Sequence, residues 1–84
     1  MAQLQGARFH RANLMSADLR FAHAAGADFA GSNLVNADAA GADFTGVAWG
    51  DAKIDGLDLD SARIDADAVD RLSTAQHLDR AQRQ

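Results

Sequence analysis

A repeat of five residues constrains this chain more than any other feature of it. Ala12-Asn13-Leu14-Met15-Ser16 is followed at once by Ala17-Asp18-Leu19-Arg20-Phe21, and the register holds from Ala2 to Ile64. A period of five suits neither an α-helix, which repeats apolar residues every three to four positions, nor a strand, which repeats them every two. The unit of organisation is therefore the repeat itself.

The central apolar residue of each unit falls at Leu4, Phe9, Leu14, Leu19, Ala24, Phe29, Leu34, Ala39, Phe44, Trp49, Ile54, Leu59 and Ile64. Two residues earlier the chain has alanine in ten of thirteen units, with Ser32, Val47 and Leu57 the exceptions. These residues resemble the pentapeptide-repeat family over about Ala2 to Ala66. The resemblance implies an all-β solenoid, a right-handed quadrilateral β-helix in which four units make one coil of twenty residues. It also implies that the central residue and the alanine before it point inward. Packing agrees, since a narrow tube has room for one large side chain per side and only a methyl beside it.

A coil of twenty residues should leave columns twenty apart. Gly6, Gly26 and Gly46 form one, Phe9, Phe29 and Trp49 a second, and Leu14, Leu34 and Ile54 a third. The aromatic column predicts stacked rings along the axis, and the glycine column predicts corners with unusual dihedrals. Thirteen units make about three and a quarter coils, close to the minimum for a stable solenoid.

One domain in two parts is expected: a β-helix over 1–66 and a C-terminal helix over 67–82 that caps or dimerises. Asp67-Ala68-Val69-Asp70 reads as a helix start. Ala68, Val69, Leu72, Ala75 and Leu78 then lie on one broad helical face, interrupted by Arg71 and Asp79. That face would cover the last coil over Leu59 and Ile64.

At the other end, Met1 leads directly into the first unit, so Leu4, Phe9, Leu14 and Leu19 would face an open end beside unpaired backbone. Pairing with a second copy, a fragment cut from a longer solenoid and simple tolerance are the competing accounts, with self-association preferred. Met15 and Val35 stack on an outward column and join the candidate interface, as do Val69 and Leu72 of the C-terminal segment. Ala24 and Ala39 shrink the axis, and Phe29, Phe44 or an inward-folded Phe21 is expected to fill the space. A small ligand cavity there is the competing account.

Asp18, Asp38 and Asp58 share one outward column, where mutual repulsion would raise a pKa. Calcium could be held by such a ladder; local bonding of each side chain to backbone is the preferred account. The eight aspartates from Asp43 to Asp70 face only Lys53 and Arg63, so the later part is acidic, whereas Arg8, Arg11 and Arg20 balance Asp18, Asp28 and Asp38 earlier. Ordinary solvation explains this, with a basic partner or a head-to-tail match between copies as the sharper account.

No arrangement of the three histidines or four serines suggests catalysis or a metal site, and no cofactor is expected. The chain has no cysteine, no apolar run of ~20 residues and no leader pattern, so a cytoplasmic protein without a membrane partner is expected. The expected function is a non-enzymatic structural or protein-interaction module, a homodimer or other homo-oligomer with a further protein partner and no nucleic acid. The alternative from the resemblance is a DNA mimic that binds DNA gyrase or topoisomerase. Three and a quarter coils at ~4.8 Å span roughly 16 Å, matching only about five base pairs, so the module ranks first.

Overall fold

The computed structural model describes residues 3–84. The chain is a β-solenoid in which each stretch of about twenty residues lies parallel to the next. Gln3 bridges His23, Arg8 bridges Asp28, Asn13 bridges Asn33 and Asp18 bridges Asp38. The same step continues from His23 to Asp43, Asp28 to Ala48, Asn33 to Lys53 and Asp38 to Asp58. We call residues 3–22, 23–42 and 43–62 the first, second and third layers, with the last layer beginning at Arg63. The strands β1 (Asp43–Phe44), β2 (Arg63–Ile64) and β3 (Gln82–Arg83) form one parallel sheet in that order.

The five-residue unit explains this geometry. Its apolar residue enters the core, and its backbone then closes a tight turn, as where Ala7 N–H donates to the Leu4 carbonyl at 3.0 Å and Ala12 N–H to Phe9 at 3.0 Å. The second turn residue has positive φ, from Gly6 at 68° through Arg11, Ser16 and Phe21 at 58°, 59° and 60°. That is the requirement of a type II turn, and it accounts for the glycine column at 6, 26 and 46. Where a unit carries Asp or Asn before its central residue, that side chain steadies the bend. Asn13, Asp18, Asp28, Asn33, Asp38, Asp43 and Asp58 each accept the backbone N–H two residues on, at 3.0–3.2 Å. This local bond is why the acids recur in columns.

The core follows the inward columns. Phe29, Leu34, Phe44, Leu57, Leu59 and Ile64 are fully buried, as are Ala22, Ala24, Ala27, Ala39, Ala42 and Ala62. Phe29 stacks on Phe9 with centroids 5.0 Å apart and planes 8° apart, and on Trp49 at 6.1 Å. Phe44 meets Phe29 and Trp49 at 5.6 Å each, tilted to one and edge-on to the other. These rings occupy the axis around Ala24 and Ala39, where no pocket opens among the described residues. Phe21 takes no part. It is 57% exposed, and its ring lies outside over Gly41, where an added Cβ would fall 2.5 Å from it.

The helix expected over 67–82 does not form. Among the described residues that segment contains two 3₁₀ turns, Ala66–Ala68 and Leu78–Arg80, and strand β3. It winds once more around the solenoid in a shortened layer. Asp58 pairs with Gln76 and Arg63 with Gln82, eighteen and nineteen residues apart where earlier layers use twenty. The third layer's edge decides this. Its Gly56, Leu59 and Ser61 N–H groups donate to Thr74, Gln76 and Arg80 carbonyls at 3.1, 3.0 and 3.2 Å, partners that a free helix would have kept for itself.

Candidate interaction surface

The first layer ends the solenoid with ladder groups that face no neighbouring layer among the described residues. In the second layer Asp28, Asn33 and Asp38 N–H groups donate to the Ala7, Ala12 and Ala17 carbonyls at 2.8, 2.9 and 2.9 Å. Their carbonyls accept from Phe9, Leu14 and Leu19 at 2.7, 2.8 and 2.7 Å. The equivalent groups of Arg8, Asn13 and Asp18 in the first layer point away from the second. Among the described residues they have no backbone partner. This is a sheet edge, bent around successive sides of the tube.

Side chains reinforce the contrast. Leu4, Phe9 and Leu14 are half-buried, whereas Ala24, Phe29 and Leu34 directly beneath them are fully buried. Leu19 is nearly enclosed, at 8% exposure. The structure thus brings Leu4, Phe9 and Leu14 together at one end. Met15 is 52% exposed and stands on the flank, with Val35 half-buried in its column.

The opposite end is formed by the shortened last layer, whose Ala68, Leu72, Ala75, Arg80 and Ala81 N–H groups donate to carbonyls three residues earlier at 2.9–3.1 Å, as in the turns of the other layers, and whose strand β3 lies at the edge of its sheet. Leu72 is fully buried in the core, so it offers nothing to a partner, and Val69 is half-buried against it. Arg71 clamps this layer down by donating from Nε to the Gly50 carbonyl at 2.9 Å and from Nη2 to the Ala52 carbonyl. The helical reading had placed Arg71 as an intruder on an apolar face. Its long side chain instead reaches a turn one layer below, a role that only the winding makes visible.

The outward acids are held by hydrogen bonds from arginine, histidine, threonine and backbone N–H groups, not strained against one another. Arg20 binds Asp18 through two 2.9 Å bonds and lowers its pKa to about 2. The Asp58 carboxyl is lowered chiefly by its bond to His77 Nδ1 at 2.9 Å. Asp28 is lowered by the Ala30 N–H and then by His10, whose Nε2 lies 2.6 Å away. Burial pushes Asp43 up, but the Thr45 hydroxyl and N–H, with Arg63 nearby, outweigh it and the net direction is down. The repulsive rise expected for the Asp18 column is therefore reversed at Asp18 and Asp58. Layer stacking sets His10 beside Asp28 and His77 beside Asp58, and each pair bridges neighbouring layers.

A pH dependence follows. A carboxylate lowered by folding contributes stability that is present above its unfolded pKa and is lost as pH falls through its folded one. Thermal melts should fall in midpoint from about pH 4 toward pH 2, the interval between an ordinary aspartate and Asp18 at about 2. Asp18→Asn, which keeps the acceptor for the Arg20 N–H, should show a shallower fall over the same range.

Among the described residues two buried side-chain polar atoms have no hydrogen-bond partner, Ser32 Oγ and Trp49 Nε1. Ser32 occupies an inward position that is alanine in ten of thirteen units. Replacing it by alanine should raise stability by about 1 kcal/mol, since an unsatisfied hydroxyl is removed without loss of volume that the core needs. Urea denaturation of Ser32→Ala checks this.

With the layers and turns placed, the family comparison can be read against geometry. The sequence profile described as Pentapeptide repeats matches in eight copies over residues 2–24 and 12–47, more than half of the chain. The chain belongs to the pentapeptide-repeat family. The structure carries the same twenty-residue step beyond the matched residues, through Asn33–Lys53, Asp38–Asp58 and β1–β2. No curated protein and no solved structure matches the chain. Among the described residues no helix is long and apolar enough to cross a membrane.

Proposed function

We propose that this pentapeptide-repeat chain is a non-enzymatic interaction module, a short right-handed quadrilateral β-helix of about three full coils that associates with another copy through its first layer. Residues 67–82 form the opposite end, and the cysteine-free sequence suits a cytoplasmic setting. The observation that carries the reading is the unpaired edge at Arg8, Asn13 and Asp18, set around half-buried Leu4, Phe9 and Leu14. An edge that leaves both ladder groups and core side chains unsatisfied gains from pairing on each count. A DNA-mimic role draws less support, because Arg20, Arg63 and Arg80 stand among the aspartates in ion pairs and interrupt any anionic stripe.

Light scattering across a dilution series tests the proposal. The intact chain should be a dimer that dissociates on dilution, and Phe9→Asp should be monomeric. Arg8→Pro provides a variant that leaves the core untouched, since the Arg8 N–H has no partner among the described residues and proline is tolerated at an edge. It should also be monomeric while melting cooperatively. An intact chain that stays monomeric at the highest concentration would overturn the proposal.

A further inference from the structure

Resting on that self-association, we infer its register: two copies meet first layer to first layer about a two-fold axis through the His10–Arg11 corner. Arg8 then faces Asn13 of the second copy, and Gln3 faces its Asp18.

The edge itself selects the occupant. Its ladder positions Gln3, Arg8, Asn13 and Asp18 sit five residues apart, with a tight turn between each and the next. An extended peptide can follow one side and then runs off the corner. Only another edge with the same turns can meet all the sides together, and this chain carries one. Its far end does not match, because the last layer steps eighteen and nineteen residues from the third where the other layers step twenty, so its turns fall out of line with those of the first layer. Joining like ends gives a closed two-fold dimer, whereas joining unlike ends would give a filament.

The climb of the chain then fixes the register. One layer rises ~4.8 Å along the axis, so each successive side of the first layer is recessed by about a quarter of that. Two such ramps facing each other across a two-fold axis keep an even gap only when the deepest side of one meets the shallowest of the other. Facing Gln3 with Asp18 and Arg8 with Asn13 does this on all four sides. Turning the partner by half a side one way sets Arg8 on Arg8 and leaves Asp18 unmatched. Turning it the other way drives Gln3 toward the His23 edge, which the second copy's own Gln3 already fills.

The chosen register has three consequences. Each facing pair is antiparallel and exchanges two N–H···O bonds, about eight in all. Inward residues alternate in size across the join, with Phe9 over Ala12, Leu14 over Ala7 and Leu4 over Ala17. No facing pair of ladder residues sets like charges together; the Arg11 side chains that meet near the axis are exposed and screened at ordinary salt. The protein measures 27 × 22 × 22 Å. An end face of that breadth buries on the order of 1,000 Å² in total, the lower limit for a specific interface.

The chain has no cysteine, so single substitutions report cleanly. Arg8→Cys and Asn13→Cys are prepared separately, then mixed and treated with a short bis-methanethiosulfonate linker at a concentration where light scattering finds dimers. Facing residues of a hydrogen-bonded antiparallel pair have Cα atoms ~5.5 Å apart, so the mixture should cross-link several-fold more than either variant alone. Gln3→Cys mixed with Asp18→Cys provides a second, independent pair with the same expected result. Efficient cross-linking of Arg8→Cys or Asn13→Cys to itself, in a chain that still dimerises, would overturn the register and leave self-association standing. A monomer throughout would overturn both.

Discussion

Phe29→Ala should lower the stability of this chain by about 3–5 kcal/mol, the range for truncating a fully buried aromatic residue. Phe29 has no exposed surface and is the ring through which the others connect, at 5.0 Å from Phe9, 5.6 Å from Phe44 and 6.1 Å from Trp49. Such a site collapses poorly. The layers above and below are held at a fixed spacing by bonds such as Phe9 N–H to Asp28 and Phe29 N–H to Ala48, at 2.7 and 2.9 Å. They cannot close on a void without breaking those ladders. A chain of 84 residues has a total stability on the order of 4–13 kcal/mol, so the variant should be substantially destabilised and lose about half its urea midpoint. Phe9→Ala supplies the contrast. Phe9 stacks on only one ring within the chain and is half-buried, so its truncation should cost clearly less in the monomer. Equal losses would mean that the central stack is not what holds the layers.

The repeat is legible in the sequence because one side chain per unit has a single environment. Phe9, Phe29 and Trp49 share a column, and the structure stacks them; Gly6, Gly26 and Gly46 share another, and all three have positive φ. The C-terminal segment was misread because two periods fit it. Ala68, Leu72 and Ala75 suit a helix, yet Val69, Leu72, Ala75, Leu78 and Ala81 also recur every three residues. The second spacing is the one realised, in turns closed by bonds three residues back. Local helical preference lost to the open edge of the third layer, whose N–H groups needed carbonyls from above. Of the three residues expected to fill the axis, Phe21 alone stays outside, because its place in the turn fixes its direction outward whatever its hydropathy. Of the candidate interface, Leu4, Phe9 and Leu14 were legible as the exposed end of inward columns. Leu72 was not, because its burial depends on how the last layer winds.

Ala42→Leu should cost about 3 kcal/mol, at the upper end for forcing methylenes into a packed core. Ala42 belongs to a column with Ala22 and Ala62, all three fully buried, so the space around each methyl is bounded from above and below by another alanine. A leucine there must push into the large-residue column beside it or turn the backbone outward. The second course would break the Ala42 N–H bond to Ala39 at 3.0 Å and the Arg63 N–H bond to the Ala42 carbonyl at 2.8 Å. Ala17→Leu makes the same chemical change in the first layer, where Ala17 is half-buried beside the open end. There the added atoms can spill over the edge, so the loss should be smaller in urea denaturation of the monomer. The same spill would disturb the face that a second copy must meet. Ala17→Leu should therefore weaken the dimer more than it weakens the fold, while Ala42→Leu does the reverse. If both variants lost stability equally, lateral room inside the tube would not be what selects alanine at these positions.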